Sequence, residues 1–338
     1  MIIEFLNKVL RDEHLTTEEA KAAMSLIMCG EATPAQISGL VIALRKKGET
    51  PEEVAGFVEA MRSHSLQIEL DGIGDQAVDG CGTGGDGANT FNISTAASLV
   101  VAASGIPVAK HGNRSVSSKC GSADLLAGLG AEIDPGPEVV KRNIEEVGFG
   151  FMFAPRFHPA MKHAALPRRE LGVRTIFNML GPMTNPAGVK RQVIGVYSRQ
   201  VMYLMAEVLA LLGAHHVLVA HSRDGLDEFS ITAPTDYIEV KNGWIAKGSL
   251  DSEAVGLPER YPGVLEGGDV EQNKGILAEV FEGEPSAYRD AVVLNAGAMI
   301  YVTDTVGSIR EGVEVAQRTI DCGAAKVLLD RWRQATHS

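Results

Sequence analysis

The chain has 338 residues, of which 45% are hydrophobic and 22% are charged, a composition typical of a globular protein with a sizeable core. Its formal net charge is −12 and it contains no long basic run, which argues against a general nucleic-acid-binding or membrane-binding surface. The four cysteines form no CxxC pair, and neither a secretory signal nor a membrane-spanning apolar run is evident, so we expect a cytoplasmic protein with reduced thiols.

The first 70 residues show only helical patterns, and we expect them to form a small helical domain. After a short amphipathic stretch from Ile2 to Leu10, three helix starts carry a capping box: Thr16 with Glu19, Thr33 with Gln36, and Thr50 with Glu53. The helix from Pro34 is apolar on nearly every side, which indicates either burial within its own domain or the interface of a homodimer. We predict the homodimer.

Residues 71–338 are predicted to form a large α/β domain with a mainly parallel central sheet, because strand and helix patterns alternate. The predicted strands are Ala77–Asp79, Ile106–Ala109, Gly150–Phe153, Val193–Tyr197 and Val217–Ala220. The predicted helices are Ser94–Ala103, Ala123–Leu129, Pro137–Val147, Arg174–Leu180 and Gln200–Leu212. Apolar segments near Ile231, Tyr237–Val240 and Trp244–Ala246 indicate antiparallel edge strands, and residues 269–335 return to helices after a loop at 257–268. Some helices of this domain are expected to pack on the helical domain.

A glycine-rich segment from Gly82 to Gly87 follows the first predicted strand and precedes a helix. Its glycines allow positive φ, and successive backbone amides in such a turn form a nest for anions. Ser94 and Thr95 can cap the following helix, whose amino terminus favours a phosphate. The spacing Gly82-x-Gly84-x-x-Gly87 matches a dinucleotide fingerprint, but the helix starts too late and no acidic residue follows at the required distance. A P-loop would need Gly-Lys-Ser/Thr, which is missing, whereas an ordinary surface turn explains the cluster less well.

A second cluster begins at Lys110, directly after the second predicted strand, where open α/β sheets bind their ligands. Lys110, Arg114 and Lys119 supply positive charge in an acidic protein, and nearby Asn and Ser side chains supply donors. Single residues here would be read as a solvated loop, but the cluster predicts a phosphate or pyrophosphate site.

Two further segments are candidates for ligand binding. Arg168 and Arg169 lie between Pro167 and the helix predicted from Arg174, where an arginine could pair with a carboxylate or simply be solvated. Asp227 and Glu228 follow the strand predicted to end at Ala220. Adjacent acids in a turn are usually only exposed, but at a strand's carboxyl end they suit Mg²⁺ shared with phosphates.

The segments Gly82–Asp86, Asn92–Thr95 and Lys110–Ser115 resemble the signature motifs of the anthranilate phosphoribosyltransferase family, and the resemblance covers nearly the whole chain. It implies the nucleoside-phosphorylase-like phosphoribosyltransferase fold, with the active site between a small helical and a large α/β domain. It also implies transfer of phosphoribose from phosphoribosyl pyrophosphate to the amine of anthranilate, in tryptophan biosynthesis. The sequence shows no fused glutamine amidotransferase segment, and separate anthranilate synthase components are candidate partners.

The resemblance also implies which residues bind the substrates and the metal. Residues expected to line the phosphoribosyl pyrophosphate site are Gly82, Gly85, Asp86, Thr90, Asn92, Ile93, Ser94, Thr95, Lys110, His111, Gly112, Asn113, Arg114, Ser115, Val116, Ser117, Ser118 and Ser122. Arg168, Asn113 and Gly82 would contact anthranilate, with His111 and Gly181-Pro182 shaping its pocket. Asp227 and Glu228 would bind Mg²⁺, and Ser94 would contribute a hydroxyl to a second ion.

No strong base is identified, so Lys110 and Asp86 are expected to act by electrostatic stabilisation. Two alternatives stay open. A pyrimidine nucleoside phosphorylase would share the architecture but use phosphate, and a non-catalytic nucleic-acid-binding relative would need a basic surface, contrary to the net charge of −12.

Overall fold

The computed structural model describes residues 1–115 and 119–338. The α-helices of that part of the chain are α1 Ile2–Leu10, α2 Thr17–Met28, α3 Pro34–Lys47, α4 Pro51–Ser63, α5 Ile93–Ala103, α6 Ser122–Gly128, α7 Pro137–Arg142, α8 Ala154–Phe157, α9 Lys162–Leu171, α10 Phe177–Met183, α11 Arg199–Leu211, α12 Val270–Phe281, α13 Ala287–Tyr301, α14 Ile309–Asp321 and α15 Ala324–Ala335. The strands are β1 Val78–Gly82, β2 Val108–Gly112, β3 Phe149–Phe153, β4 Arg191–Gly195, β5 His216–Ser222, β6 Thr235–Lys241 and β7 Trp244–Leu250.

The amino-terminal helices begin where the capping boxes predict. In each of α2, α3 and α4, the threonine before the first turn accepts a bond from the third backbone amide, and the Glu or Gln at that position reaches back to the threonine amide. These reciprocal bonds satisfy amides that the helix itself leaves without a partner. The local sequence therefore determines these three helix starts.

Helix α3 is covered within the single chain by α1 and α9. Leu40 is fully buried, whereas Ile42 is 37% exposed. The expectation that the apolar side chains of α3 need a second subunit to cover them is therefore wrong for Leu40. Sequence periodicity could not reveal this, because α9 comes from a distant part of the chain.

The sheet has the order β3-β2-β1-β4-β5-β6-β7, in which β1 to β5 are parallel and β6 and β7 are antiparallel at one edge. The predicted mainly parallel sheet and edge hairpin are confirmed. The chain winds outward in opposite directions from β1 and β4, so these neighbours form the topological switch point where such sheets bind ligands.

Several strand ends differ from the sequence expectation. Strand β1 continues to Gly82, which pairs with Gly195, and β2 continues through Lys110 and His111 to Gly112, which pairs with Phe153. These residues were predicted to follow their strands. Glycine and lysine have low strand propensity, but backbone pairing with β4 extends β1 and pairing with β3 extends β2. Near Ile231 the expected strand does not form.

Four helices also differ from the sequence expectation. Pro167 and Arg168 lie inside α9 rather than in a connection, and the helix predicted from Arg174 begins at Phe177. Ser94 and Thr95 are not caps, because α5 starts at Ile93 with Asn92 as its amino-terminal flanking residue. The predicted helix from Pro137 to Val147 changes to a π-helical turn at Asn143.

The two faces of the sheet join different hydrophobic cores, because successive strand residues point to opposite sides. Val193 and Leu218 pack with α5 and the carboxyl-terminal helices, whereas Ile194 and Val219 pack with α1–α4 and α9–α11. The amino-terminal helices therefore share one continuous core with a face of the sheet. None of the helices in residues 1–115 and 119–338 combines the length and apolar character needed to cross a bilayer.

Candidate active site at the carboxyl edge of the sheet

The glycine-rich segment leaves β1 at the switch point and is fastened to β4. The amide of Thr83 donates to the carbonyl of Gly195 over 2.9 Å. Gly84, Gly85 and Gly87 then adopt φ of +67°, +78° and +77°. A side chain would strain this backbone, so the sequence needs glycine here. The result is an open turn at the ligand-binding edge of the sheet.

Asp227 packs directly against this turn. Its Oδ2 accepts a 2.7 Å bond from the amide of Gly84, and its own amide lies 3.5 Å from Oδ2 of Asp86. A Cβ on Gly195 would lie 1.5 Å from the carbonyl oxygen of Asp227, and a Cβ on Gly82 would lie 2.5 Å from its Oδ2. Only glycines at these two strand ends let the acidic segment approach.

The carboxylates of Asp86, Asp227 and Glu228, here called the site carboxylates, repel one another. Burial raises the pKa of Asp227, and the charge of Asp86 raises it further. Burial also raises the pKa of Glu228, followed by the charge of Asp227, while Lys110 and the amide of Ser94 partly oppose the rise. The site therefore holds more negative charge than its own cations balance.

Lys110 is the buried cation nearest to this charge. It is 2% exposed, and its Nζ donates to the carbonyl of Gly80 over 2.6 Å. Beneath it, Asp79 accepts bonds from the amide of His111 and from Asn185 Nδ2 at 3.3 Å and 2.8 Å. Burial raises the pKa of Asp79 to about 6. Lys110 thus ties β2 to β1 in addition to carrying charge to the site.

His111 is buried, and its ring lies beside Gly181 and His158. Its Nδ1 lies 3.3 Å from the carbonyl of Gly181, and its ring centroid is 5.0 Å from that of His158. Within residues 1–115 and 119–338, its Nε2 has no hydrogen-bond partner. Burial lowers the pKa of His111 to about 3, so the ring is neutral. The ring packs against the predicted acceptor-pocket segment at Gly181-Pro182.

The residues predicted at the start of α5 divide into two groups. Ile93 and Thr95 are buried, whereas Ser94 is partly exposed and its amide faces Glu228. Asn92 has its side chain engaged, because Nδ2 donates to the carbonyl of Cys120 and Oδ1 accepts from Asn273. Thr90 forms an isolated bridge with Glu266. Only Ser94 of this group has a contact with the site carboxylates.

The loop after β2 is organised by Asp124. Arg114 Nη1 donates to Asp124 Oδ1 at 2.8 Å, and the amide of Ser115 donates to Oδ2 at 3.0 Å. The hydroxyl of Ser122 donates to the carbonyl of Asn113. Arg114 is therefore already paired, which the sequence did not indicate. Val116, Ser117 and Ser118, which were predicted to line the site, lie outside the described residues.

Arg168 is exposed in the last turn of α9. Its guanidinium lies 5.6 Å from the ring centroid of Phe177, and this is its only recorded side-chain contact among the residues that the structure describes. Its guanidinium therefore has no carboxylate partner there, and no contact joins it to Asn113. Arg169 is likewise exposed.

Two residues at the site were missed by the sequence reasoning. Arg174 Nη2 donates to the carbonyl of Gly85, and Asn185 bonds both Asp79 and the carbonyl of Ala109. Arg174 was predicted as the first residue of a helix, and no distinctive sequence pattern marked it as a ligand-site residue. Asn185 precedes a proline, a common turn signal, and its role depends on tertiary contacts.

The donor set suits a hard cation. In residues 1–115 and 119–338, no three or more His, Cys, Asp or Glu side chains are arranged to enclose a metal ion. An all-protein cage is thus not present in that part of the chain, but the uncompensated site carboxylates offer oxygen ligands beside an anion nest. Mg²⁺ is commonly held by one or two carboxylates together with substrate phosphates, so the residues fit it.

Sequence comparisons agree with this arrangement. Residues 74–326 match the profile described as "Glycosyl transferase family, a/b domain", and residues 3–65 match "Glycosyl transferase family, helical bundle domain". The anthranilate phosphoribosyltransferase of Thermomicrobium roseum is 51% identical over 335 residues, covering 98% of this chain and 96% of the relative. That of Thermoanaerobacter sp. is 49% identical over 325 residues, covering 96% of each.

Solved structures show the same similarity. The anthranilate phosphoribosyltransferase (TrpD) of Thermus thermophilus superposes with a TM-score of 0.94 at 42% identity, covering 99% of both chains. The Saccharomyces cerevisiae enzyme, solved with phosphoribosyl pyrophosphate and Mg, gives a TM-score of 0.90 at 26% identity, covering 99% of this chain and 98% of the other. With two matching domain profiles and relatives of about half identity over nearly its whole length, the chain belongs to the anthranilate phosphoribosyltransferase family of glycosyltransferases.

Proposed function

We propose that the protein transfers the phosphoribosyl group of phosphoribosyl pyrophosphate to the amine of anthranilate, as its family membership indicates. The amine nitrogen forms a bond to C1 of the ribose while the bond from C1 to the pyrophosphate oxygen breaks. The electron pair of that bond leaves with pyrophosphate, and the amine loses one proton. The observation that carries the proposal is the convergence of an anion nest and uncompensated carboxylates at the switch point.

The glycine turn supports a role in binding the pyrophosphate. Positive φ at Gly84, Gly85 and Gly87 allows backbone amides to face an anion without side chains in the way. The first turn of α5 contributes the positive end of a helix dipole near Ser94. Because the leaving group gains negative charge as the bond breaks, donors fixed in advance stabilise the transition state more than the ground state.

Mg²⁺ is the cofactor that we propose for the site carboxylates. Asp227 and Glu228 would hold it, and the Ser94 hydroxyl would contribute to a second ion, so we propose two ions in all. When bound, Mg²⁺ neutralises charge on the leaving pyrophosphate. Asp86 contributes by orienting Asp227 and the turn, since its Oδ1 accepts from the amide of Ala88 and its Oδ2 faces the amide of Asp227.

Arg168, Asn113 and Gly82 are the residues that we propose for anthranilate. The support for Arg168 is that its guanidinium is exposed on α9 and has no carboxylate partner among the described residues. An arginine of this kind can form two parallel bonds to a carboxylate. His111 and Gly181 would form a neutral wall of the acceptor pocket rather than supply a base, because the His111 ring is buried and uncharged.

We also propose that the protein is cytoplasmic, and that it forms a homodimer through its helical domain. We propose that this domain ends near residue 70. Ile3, Leu10 and Ile42 of the described helices are 52%, 63% and 37% exposed, which supports an apolar contact surface there. Sedimentation at micromolar concentration tests this, and a single species of monomer mass would refute it. Leu40→Glu is expected to unfold the chain, not to release folded monomers, because Leu40 is buried. Anthranilate synthase components remain possible separate partners.

Consumption of anthranilate, followed by its fluorescence, tests the reaction. We expect signal loss only when phosphoribosyl pyrophosphate and Mg²⁺ are both present, and we expect a chelator to stop it. Thymidine with inorganic phosphate is the matched control for a nucleoside phosphorylase. Turnover of thymidine, or consumption of anthranilate without phosphoribosyl pyrophosphate, would overturn the proposal.

A further inference from the structure

Arg174 connects the glycine turn to the helical domain. It lies between α9 and α10, and its Nη2 donates to the carbonyl of Gly85. Its own carbonyl accepts a bond from Nη1 of Arg45 in α3. Three segments that are distant in sequence therefore meet at this one residue.

The guanidinium of Arg174 also lies over an aromatic ring. Its central carbon lies 4.0 Å from the ring centroid of Tyr197, a distance typical of a stacked cation–π contact. The amide of Tyr197 in turn donates to Oγ1 of Thr83 over 3.2 Å. Tyr197 thus contacts the first residue of the turn directly and contacts Gly85 through Arg174.

The turn needs such support at its tip. Its base is held by Thr83 on β4 and by Gly84 on Asp227, both through backbone amides. Gly85 comes next, with φ of +78°, and glycine loses more backbone entropy on ordering than any other residue. The bond from Arg174 fixes the orientation of the Gly85 carbonyl. Fixing this carbonyl also orients the peptide units next to it, including their amides.

We propose that Arg174 is a positioning residue for phosphoribosyl pyrophosphate: its guanidinium lies on the Tyr197 ring and bonds the Gly85 carbonyl, which orders the glycine turn before the substrate binds. The inference rests on the proposed function, since it assumes that the turn binds the pyrophosphate. Ordering the turn before binding removes an entropic penalty from substrate association. The consequence is specific to one substrate: Arg174 favours phosphoribosyl pyrophosphate and leaves anthranilate, which Arg168 would bind, unaffected.

The test compares Arg174→Gln with Arg169→Gln, which removes an exposed arginine on the adjacent helix. We expect Arg174→Gln to raise the KM for phosphoribosyl pyrophosphate by about tenfold or more, in the range for a lost charge-assisted contact. In Arg174→Gln, the KM for anthranilate should change by less than about twofold. In Arg169→Gln, the KM values for both substrates should change by less than about twofold. Equal increases in both KM values, or no increase, would overturn the inference.

Hydrogen exchange of the ligand-free protein provides a second readout that needs no turnover. Amides of residues 83–87 should exchange faster in Arg174→Gln than in wild type, at an unchanged melting temperature. Unchanged exchange would contradict the anchoring role even if the KM rose. Wild type that shows no turnover with phosphoribosyl pyrophosphate would instead contradict the proposed function, while the exchange result would still report on the anchor. Arg174→Lys should restore little, since an ammonium group cannot stack on Tyr197 as a planar guanidinium does.

Discussion

Carboxylates gather at both edges of the parallel sheet, but their surroundings differ. At the amino edge, Asp304 accepts bonds from Lys241 Nζ and Arg191 Nη1, each at 2.6 Å, and its Oδ1 lies 2.9 Å from His216 Nδ1. His216 Nε2 lies 2.8 Å from Oε1 of Glu239. We call these five residues the amino-edge cluster. Bonds from these cations and the positive charge around it outweigh burial and hold the pKa of Asp304 well below its ordinary value.

At the carboxyl edge, the site carboxylates have the opposite balance. Burial and mutual repulsion raise the pKa of Asp227 and Glu228, and Lys110 is the nearby cation that opposes this rise at Glu228. A folded protein tolerates such a cluster when something else supplies the missing positive charge. The comparison teaches that the amino-edge cluster stabilises the fold, whereas the site carboxylates are arranged for a bound cation.

The largest effect is expected from removing the charges of the site carboxylates. Asp227→Asn combined with Glu228→Gln should lower kcat/KM by about 10³-fold or more, equivalent to about 4 kcal/mol of transition-state stabilisation. The melting temperature without Mg²⁺ should stay the same or rise, because repulsion is relieved. Steady-state kinetics across a Mg²⁺ titration and thermal unfolding measure both. Unchanged activity would show that these are ordinary surface acids.

Arg168 offers a matched contrast to Arg191, since Arg191 has a carboxylate partner and Arg168 has none among the described residues. Arg168→Ala should raise the KM for anthranilate much more than that for phosphoribosyl pyrophosphate, with a loss of about 2–4 kcal/mol in transition-state binding. The kinetic constants for each substrate, measured separately, decide this. Equal effects on both substrates would contradict the assignment, and Arg169→Ala serves as the control.

Breaking the amino-edge cluster should change stability and leave catalysis intact. Asp304→Asn removes the carboxylate that accepts bonds from Arg191 and Lys241, and we expect the free energy of unfolding to fall by about 2 kcal/mol, as for hydrogen bonds to charged groups. Its kcat should stay within about twofold of wild type. Denaturant unfolding and steady-state kinetics test this. A large loss of activity at normal stability would remove the distinction between the two clusters.

The smallest effect is the pH dependence of that stability difference. The pKa of Asp304 is lower in the folded than in the unfolded chain, so the unfolded state binds the proton first as pH falls. The stabilisation by Asp304 is therefore complete above the ordinary aspartate pKa of about 4 and is lost below it. The free energies of unfolding of wild type and Asp304→Asn, measured at a series of pH values, should approach each other as the pH falls below about 4. A difference that grows on acidification would contradict this sign.

Local patterns predicted the parts of the structure that depend on local physics. Capping boxes at Thr16, Thr33 and Thr50 determined three helix starts, and alternating strand and helix patterns predicted the parallel sheet. Strand ends were predicted less well, because pairing with β4 extends β1 through Gly82 and pairing with β3 extends β2 through Lys110. A propensity argument along one segment contains no information about those partners.

The candidate site was predictable in the same partial way. The glycines and the Asp227-Glu228 pair carry their chemistry in residue type, so the sequence indicated them. Arg174 acts through Gly85 and Tyr197, and its role exists only once the fold brings α3, β1 and β4 together. Pairing of Arg114 with Asp124 was hidden for the same reason.

Binding calorimetry of phosphoribosyl pyrophosphate, with and without Mg²⁺, tests the central claim most directly. It compares wild type with Asp304→Asn and with the Asp227→Asn, Glu228→Gln double variant. The account predicts that Mg²⁺ strengthens binding in wild type and in Asp304→Asn, and that this gain is lost in the Asp227→Asn, Glu228→Gln variant. An equal Mg²⁺ gain in all three proteins would contradict the claim that the site carboxylates are arranged for the cation.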